Sequence, residues 1–382
     1  MAFPPKADWD RAPWNRWSFQ HVREIVPTTE VWRGNGPARV LPREERDLDD
    51  LDVVGLGQRP GSLADFLSQS YTDGLLVLRR GAIVYERYFN GMDERTLHLS
   101  QSVAKSFVGA LTGILVDRGA VDPAAQITDV LPELQGTAYR EATIRHVLDM
   151  TSGVRFNEDY TDPLSHMGQA DVASGWKPVP AQMGHDISWP RTMFDLVLTL
   201  TEQEREHGRR FSYRSIETDV LAFVLERATG RRLAQLLSDE LWQTLGMEQS
   251  ANMTVDAAGY ALADGGLSAC LRDYGRFGQM ILENGAGVVP AGWIEATRSG
   301  DHAVFGDPYT AVLPDGAYRN QFWIEDRTSR NLMARGVFGQ LIHVNFDRQV
   351  VVVKLSSWPD FVNAQWTAAT IAVAHRIAEA VS

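Results

Sequence analysis

Cysteine and lysine are scarce in this chain of 382 residues: it contains one cysteine, Cys270, and only four lysines, whereas arginine is abundant. A single cysteine excludes an intramolecular disulfide and a thiolate metal cluster, and we expect Cys270 to be a buried small residue. The chain has no run near the ~18 apolar residues of a membrane span, and its first residues lack the apolar stretch of a secretory signal. We therefore expect no membrane association and a cytoplasmic location.

The net charge of −12 argues against nucleic acid as a partner and mildly favours neutral or cationic small molecules. Apolar residues make up 44% of the chain and charged residues 23%, which are ordinary globular values. The length allows a sizeable core, arranged as two or three domains or as one large composite.

Because lysine is rare, Lys105 is conspicuous. It lies three residues after Ser102, and the apolar helical run 107–115 follows it. One helical turn separates the two side chains by roughly 5 Å along the axis, so they lie on the same side of the helix. A partly buried amine can give up its proton, whereas arginine cannot. We therefore predict that Ser102 is a nucleophile and that Lys105, with a pKa lowered by burial, is its general base.

Periodicity and turn residues predict the main elements. A β-hairpin is expected at 75–88, helices at 215–228 and 271–282, and further strands at 321–324, 341–344 and 350–353, followed by a final amphipathic helix. Strands near both ends with helices between them indicate an α+β fold in which one mixed, mainly antiparallel sheet is flanked by helices. We predict a wrapping extension at 1–72, a sheet domain at 73–117 and 265–382, and an inserted helical domain at 118–264 with an active-site loop at 157–189.

Two later segments supply partners for the serine and lysine. Tyr213-Arg214-Ser215 enters a helix, and Gly336-Val337 stands before a strand. The order SxxK, YxS and glycine-containing edge strand resembles the serine β-lactamase, penicillin-binding protein and esterase superfamily, especially its class C-like branch. Tyr213 is then expected to shuttle protons between Lys105, the serine and the leaving group. The resemblance further implies an oxyanion hole from the backbone N–H groups of Ser102 and Val337, and a substrate-binding role for Ser215.

The whole chain also resembles the nylon-oligomer hydrolases, the 6-aminohexanoate-dimer hydrolase family of that superfamily. The stretches that carry this resemblance are Asn15-Arg16-Trp17, Tyr71-Thr72-Asp73, Asn157-Glu158-Asp159-Tyr160, Gly175-Trp176, Asp264-Gly265-Gly266 and Lys354-Leu355-Ser356-Ser357-Trp358. The resemblance implies that Tyr160 hydrogen-bonds the leaving amide nitrogen, that Asp171 receives a substrate ammonium and that Asp264 lines the pocket. It also favours a homodimer.

Two departures from these patterns bear on the substrate. Class C β-lactamases carry Lys-Thr-Gly where this chain has Ala334-Arg335-Gly336, and along a strand Arg335 points to the opposite face from residue 334. This change disfavours β-lactam hydrolysis. The segment Lys177 to Ser188 has no counterpart that we can match in the family, and it could reshape the pocket.

Each of these residues also has an ordinary structural explanation. Ser102 is suited to cap a helix and Tyr213 to pack as a half-buried aromatic, while Tyr160 and Asp171 could simply order a long loop. The near match to GxSxG at Gly266-Leu267-Ser268 lacks its last glycine, and no metal-ligand spacing occurs among the nine histidines. We expect neither metal nor organic cofactor.

The sequence thus predicts a serine hydrolase that cleaves short linear amides of the 6-aminohexanoate-dimer type, and short-chain esters, through an acyl-enzyme on Ser102. The expected partner is a small-molecule substrate. Two alternatives remain open: a carboxylesterase with an unrelated natural substrate, and a catalytically silent sensor that retains an acylatable serine.

Overall fold

The structure is a computed structural model and describes residues 3–181 and 188–382. Its strands are β1 Thr28–Val31, β2 Asp52–Val54, β3 Pro60–Ser62, β4 Thr72–Arg79, β5 Ala82–Tyr88, β6 His98–Leu99, β7 Ala251–Thr254, β8 Leu267–Ala269, β9 Ala317–Arg319, β10 Phe322–Ile324, β11 Leu332–Gly336, β12 Gln340–Asn345 and β13 Val350–Ser356. Its α-helices are α1 Asn15–Ser18, α2 Leu63–Gln69, α3 Ala104–Asp117, α4 Ile127–Val130, α5 Ile144–Leu148, α6 His166–Ala173, α7 Met193–Thr199, α8 Ile216–Thr229, α9 Leu233–Leu237, α10 Leu271–Leu282, α11 Ala291–Thr297 and α12 Ala364–Val381.

The central sheet has seven strands in the order β5-β4-β13-β12-β11-β10-β9, and its neighbours pair antiparallel. The predicted hairpin is present as β4 and β5, turning at Arg80 and Gly81, which both have positive φ. Strand β13 lies between β4 and β12, so the C-terminal part of the chain closes the sheet onto the early hairpin. The predicted α+β class with a mainly antiparallel sheet is confirmed.

The two faces of this sheet are covered by different helices. In β4, Leu76 and Leu78 belong to the large hydrophobic cluster that contains residues of α3 and α10. Leu75 and Val77 point the other way, into a cluster with residues of α12. This alternation follows from the two-residue period of a strand, and it explains why β4 is apolar on both sides.

Helix α3 passes through the interior, and every residue from Ala104 to Leu115 is buried. Helix α3 requires glycine at position 109, because the backbone of Asn320 approaches it there. A Cβ at Gly109 would lie 2.1 Å from the carbonyl oxygen of Asn320. Ser102 lies in the 3-10 turn Gln101–Val103 directly before α3, and this turn contacts β11. The buried helix therefore holds Ser102 against the edge of the central sheet.

The segment between α3 and β7 is mainly helical. Its longest helix, α8, contacts α3 and ends at Gly230, which has a φ of 68° and lies in the left-handed region that favours glycine. A second sheet, β1-β7-β8-β6, joins the N-terminal segment to the end of this helical region. The domain boundaries given above stay predictions. In the described part of the chain, no helix combines the length and hydropathy needed to cross a bilayer.

Candidate active site

Ser102 and Lys105 meet as the sequence predicts. The Lys105 ammonium nitrogen Nζ lies 3.2 Å from Ser102 Oγ and donates a hydrogen bond of 2.6 Å to the backbone carbonyl of Asp264. Nζ also lies 3.8 Å from a carboxylate oxygen of Asp264 and 5.3 Å from the centre of the Tyr213 ring. Only 1% of the Lys105 side chain is exposed, so the amine is held in place by these partners. The three residues predicted to be catalytic are therefore neighbours.

The charge state of Lys105 differs from the prediction. Burial does lower the pKa of this amine, but electrostatic interactions with Tyr213, Asp264, Glu158 and Asp219 outweigh burial and raise the pKa above its ordinary value. The sequence showed a lysine entering an apolar helix, but it did not show the acidic side chains that other segments bring to the same place. The prediction that burial leaves Lys105 with a lowered pKa is wrong.

Tyr213 is fixed from two sides. Its backbone N–H donates to the hydroxyl of Tyr309 at 2.8 Å, and its ring stacks on Trp323 with centroids 5.4 Å apart. Burial raises the pKa of Tyr213, and the opposing influences of Lys105 and of a hydrogen bond with Ser102 do not cancel that effect. The phenol is therefore neutral near pH 7 and carries a proton that it can donate.

The turn after β11 approaches the serine closely. A Cβ at Gly336 would lie 2.7 Å from the carbonyl oxygen of Ser100 and 3.0 Å from the backbone nitrogen of Ser102. Gly336 has extended backbone geometry, with a φ of −132°, so glycine is needed here for space and not for backbone freedom. Val337 follows in the 3-10 turn Val337–Gly339. This is the placement that the predicted oxyanion hole of Ser102 and Val337 requires, and that role stays a prediction.

Glu158 joins the site, although sequence analysis did not assign it a role. Its carboxylate accepts hydrogen bonds from the Tyr160 hydroxyl at 2.8 Å, from the Ser215 N–H at 2.9 Å and from the Ser215 hydroxyl. Burial raises the pKa of Glu158. Glu158 thus links Tyr160 and Ser215, two of the predicted substrate-binding residues. Its position two residues before Tyr160, in the stretch Asn157-Glu158-Asp159-Tyr160 that carries the family resemblance, is the sequence feature that could have indicated a role for it.

Asp171 lies near the site but is not free. Lys177 Nζ is 2.7 Å from one carboxylate oxygen of Asp171 and 3.0 Å from a carboxylate oxygen of Asp10. The exposed fraction of the side chain is 12% for Lys177, 16% for Asp171 and 4% for Asp10. The predicted role of Asp171 in receiving a substrate ammonium stays a prediction, and in this structure a lysine of the same chain already occupies its carboxylate.

Two cavities meet at Ser102. The larger, of about 270 Å³, has mainly apolar walls that include Trp323, Leu341 and Trp358. The smaller, of about 20 Å³, is lined by Asp171, Asp264 and Ser215 among others. Ser102, Tyr160 and Val337 line both cavities, whereas Tyr213 lines only the larger one. Ser102 is therefore accessible from a pocket large enough for a small organic molecule.

Arg335 points into the larger cavity, where its guanidinium lies 4.7 Å from the centre of the Trp323 ring. Ala334 is buried and belongs to the core on the other face of β11. The alternation predicted for this strand is therefore confirmed, and it directs Arg335 towards the larger cavity.

The predicted active-site loop 157–189 contains α6, and its residues 182–187 lie outside the described residues. Half of the segment Lys177 to Ser188, for which we found no family counterpart, falls in the same gap. The role of this segment as an active-site loop stays a prediction.

A group that could hold a metal ion lies apart from these cavities. Glu325, His343 and His375 place their ligand atoms within 4.8 Å of one another, but the side chains pair among themselves, with His343 Nε2 3.2 Å from Glu325.

Comparisons with known proteins show the family to which the chain belongs. The model of the Beta-lactamase family matches residues 66–375. The chain is 35% identical to the 6-aminohexanoate-dimer hydrolase of Paenarthrobacter ureafaciens over 95% of this chain and 90% of the relative.

Solved structures show the same relationship. A structure from Bacillus anthracis that carries the name of a 6-aminohexanoate-dimer hydrolase superposes with a TM-score of 0.88 at 27% identity, and 99% of each chain is covered. A D-stereospecific amidohydrolase from Streptomyces has a TM-score of 0.58 at 16% identity and covers 78% of this chain and 92% of its own, which shows a shared fold. The predicted β-lactamase/transpeptidase-like fold is confirmed.

Proposed function

Because this chain belongs to the beta-lactamase family and, within it, to the group that contains the 6-aminohexanoate-dimer hydrolases, we propose that it is a serine hydrolase of short linear amides. It acts through an acyl-enzyme on Ser102 and also cleaves short-chain esters. The observation that supports this proposal most strongly is the contact of 3.2 Å between Lys105 Nζ and Ser102 Oγ at the junction of two cavities.

In the acylation step, Ser102 Oγ attacks the substrate carbonyl while Lys105 takes its proton. The N–H groups of Ser102 and Val337 stabilise the oxyanion, since they are fixed in place before the reaction begins. Tyr213 then donates its proton to the leaving amine or alcohol, and the C–N or C–O bond breaks. Water cleaves the resulting serine ester by the reverse sequence of proton transfers and restores the Ser102 hydroxyl.

The raised pKa of Lys105 sets a condition on this mechanism. The reactive form of the protein has a neutral Lys105, and at neutral pH this form is a minor species. A substrate that displaces water from the cavity enhances the effect of burial, which lowers the pKa of the amine and increases the population of the neutral base.

Tyr160 contributes to amide cleavage through its hydroxyl, which Glu158 orients. An amide nitrogen needs a hydrogen-bonding partner as it becomes a leaving amine, whereas an ester oxygen leaves more easily. Tyr160 is therefore more important for amides than for esters.

The experiment is an assay of purified protein on the linear 6-aminohexanoate dimer, with a p-nitrophenyl short-chain ester as a second substrate and Ser102→Ala as the control. Cleavage of both substrates that is lost in Ser102→Ala supports the amidase. Ester cleavage without any amide cleavage supports a carboxylesterase, which the apolar walls of the larger cavity also suit. Acylation without turnover would identify a sensor and contradict the proposal.

A further inference from the structure

The two cavities indicate where the two halves of a substrate bind. This inference rests on the proposed function. Ser102 lines both cavities, but Tyr213, which protonates the leaving group, lines only the larger one. The leaving group must lie within reach of Tyr213, so it occupies the larger cavity. The acyl group then extends into the smaller cavity, towards Asp171 and Asp264.

The smaller cavity has little room, and the two aspartates known to line it each face a lysine: Asp171 pairs with Lys177, and an Asp264 oxygen lies 3.8 Å from Lys105 Nζ. Its volume of about 20 Å³ accommodates roughly one water molecule. Lys177 Nζ bridges Asp171 and Asp10 at 2.7 and 3.0 Å, and the Lys177 backbone N–H donates to the Asp171 carbonyl at 2.9 Å. A substrate ammonium entering here would compete with Lys177 for the same carboxylates and would be repelled by it.

The protonation of the cluster formed by Asp10, Asp171 and Lys177 also disfavours binding of a substrate ammonium. Burial raises the pKa of Asp171 to about 6, and the neighbouring carboxylates of Asp10 and Asp264 contribute to the rise. The excess negative charge of two aspartates beside one lysine is therefore relieved by a proton when the pH falls, without the need for a second cation.

The larger cavity is lined by Arg335 and by Glu158, whose carboxylate accepts hydrogen bonds from Tyr160 and Ser215. Among residues 3–181 and 188–382, no carboxylate or hydrogen-bond acceptor pairs with the Arg335 guanidinium, whose described contact is the Trp323 ring at 4.7 Å. Burial lowers the pKa of Arg335 to about 10, so the group remains charged at neutral pH. A partly desolvated cation without a counterion is stabilised by an incoming anion, and guanidinium matches the geometry of a carboxylate.

We propose that the substrates are N-acyl amino carboxylates in which a short, uncharged acyl group is joined to an amine that carries an apolar stretch and a terminal carboxylate. Arg335 binds the carboxylate, the apolar walls hold the carbon chain, and Lys177 excludes a cationic acyl group. Ser102 Oγ bonds to the acyl carbon as the C–N bond breaks, and the amine leaves with the proton from Tyr213. Water then releases a short carboxylic acid and restores the serine.

Binding to the Ser102→Ala protein tests this proposal separately from catalysis. Calorimetric titrations use N-acetyl-6-aminohexanoate, N-hexanoyl-6-aminohexanoate and the linear 6-aminohexanoate dimer, which share one leaving group, together with N-pentylacetamide, which lacks the carboxylate. We expect N-acetyl-6-aminohexanoate to bind at least about tenfold more tightly than the dimer and than N-pentylacetamide, as for the loss of one charged interaction. Equal affinity for the acetyl compound and the dimer would overturn the proposal.

Variants test the two charged residues. Lys177→Met should raise kcat/KM for the dimer at least about tenfold relative to the N-hexanoyl compound, which has the same acyl chain length without the ammonium, because removing the lysine frees Asp171 for the substrate ammonium. Arg335→Met should reduce the preference for N-acetyl-6-aminohexanoate over N-pentylacetamide by a similar factor. Exposed Lys6→Met and Arg327→Met serve as matched controls, and neither should change these ratios.

The outcomes separate this inference from the proposed function. If the expected binding order holds but the wild-type protein turns over none of these amides and no p-nitrophenyl ester, the hydrolase proposal fails and the inference about the cavities stands. If the protein is an active, Ser102-dependent amidase that prefers the dimer, the hydrolase proposal stands and the inference fails. The ligand order in Ser102→Ala leaves the Lys177 cluster intact, so misfolding of Lys177→Met would not obscure the result.

Discussion

Gly336→Ala should impair catalysis without unfolding the protein. The new Cβ would stand 2.7 Å from the Ser100 carbonyl oxygen and 3.0 Å from the Ser102 nitrogen. These contacts are about 0.5 to 1 Å shorter than ordinary van der Waals separation, and both partners are backbone atoms that cannot rotate away. The end of β11 must therefore move away from the serine turn. Since alanine tolerates the local φ of −132°, the substitution adds no backbone strain of its own.

The displacement widens the space between the N–H groups of Ser102 and Val337. Loss of one oxyanion donor typically costs about 10² to 10³ in kcat, equivalent to roughly 3 to 4 kcal/mol of transition-state stabilisation. We expect a fall of that order for Gly336→Ala, with KM changed much less because the walls of the larger cavity remain. The assay measures kcat and KM with a p-nitrophenyl short-chain ester, alongside the thermal midpoint Tm.

Gly292→Ala in α11 is the matched control, because a Cβ there has no atom within 4 Å. It should retain wild-type kinetics and equal or slightly higher stability, as expected for alanine replacing glycine in a helix. A Gly336→Ala protein with kcat within about threefold of wild type would refute the close-approach argument and the oxyanion role assigned to this turn.

Three further predictions follow from the same geometry. Tyr160→Phe should lower kcat/KM for amides by about tenfold or more and for esters by less than about threefold, and equal losses would exclude a leaving-group role. Because the pKa of Lys105 is raised, its neutral form grows with pH, so kcat/KM for an amide should still rise between pH 8 and 9, whereas a plateau below about pH 8 would show a lowered pKa. Burial lowers the pKa of Lys354 to about 7, below its ordinary value of 10.5, so the unfolded chain binds more protons between these limits. Relative to Lys354→Met, the wild-type protein should gain stability as pH rises through this range, by at most about 1.4 kcal/mol per pH unit. Urea titrations of both proteins measure this difference, and a difference that does not change with pH would contradict the burial of the Lys354 amine.

Local patterns in the sequence were sufficient for the elements that form the frame of the site. The apolar run after Lys105 predicts a buried helix, and α3 is buried throughout its first twelve residues. The alternation at 334–336 correctly separates Ala334 from Arg335, because the side-chain period of a strand does not depend on tertiary context. The contact between Ser102 and Lys105 follows from helix geometry in the same way.

The electrostatics of the site could not be predicted in this way. The pKa of Lys105 depends on Asp219, on Asp264 and on Glu158, which come from separate segments, and a sequence does not give the distances between them. The pairing of Lys177 with Asp171 likewise depends on how the loop after α6 turns back. Charge balance in a buried site is a tertiary property, which explains why the direction of the Lys105 shift was predicted incorrectly.

The nucleophilic role of Ser102 is tested most directly by covalent labelling with a p-nitrophenyl alkylphosphonate, which reacts with an activated serine and leaves a stable adduct. The account predicts one adduct per chain, located by peptide mass spectrometry at Ser102, with release of one equivalent of p-nitrophenol and loss of ester and amide turnover in the same proportion. Labelling should be absent in Ser102→Ala. A protein that keeps its turnover when fully labelled at Ser102, or that loses turnover through an adduct at another residue, would contradict the account.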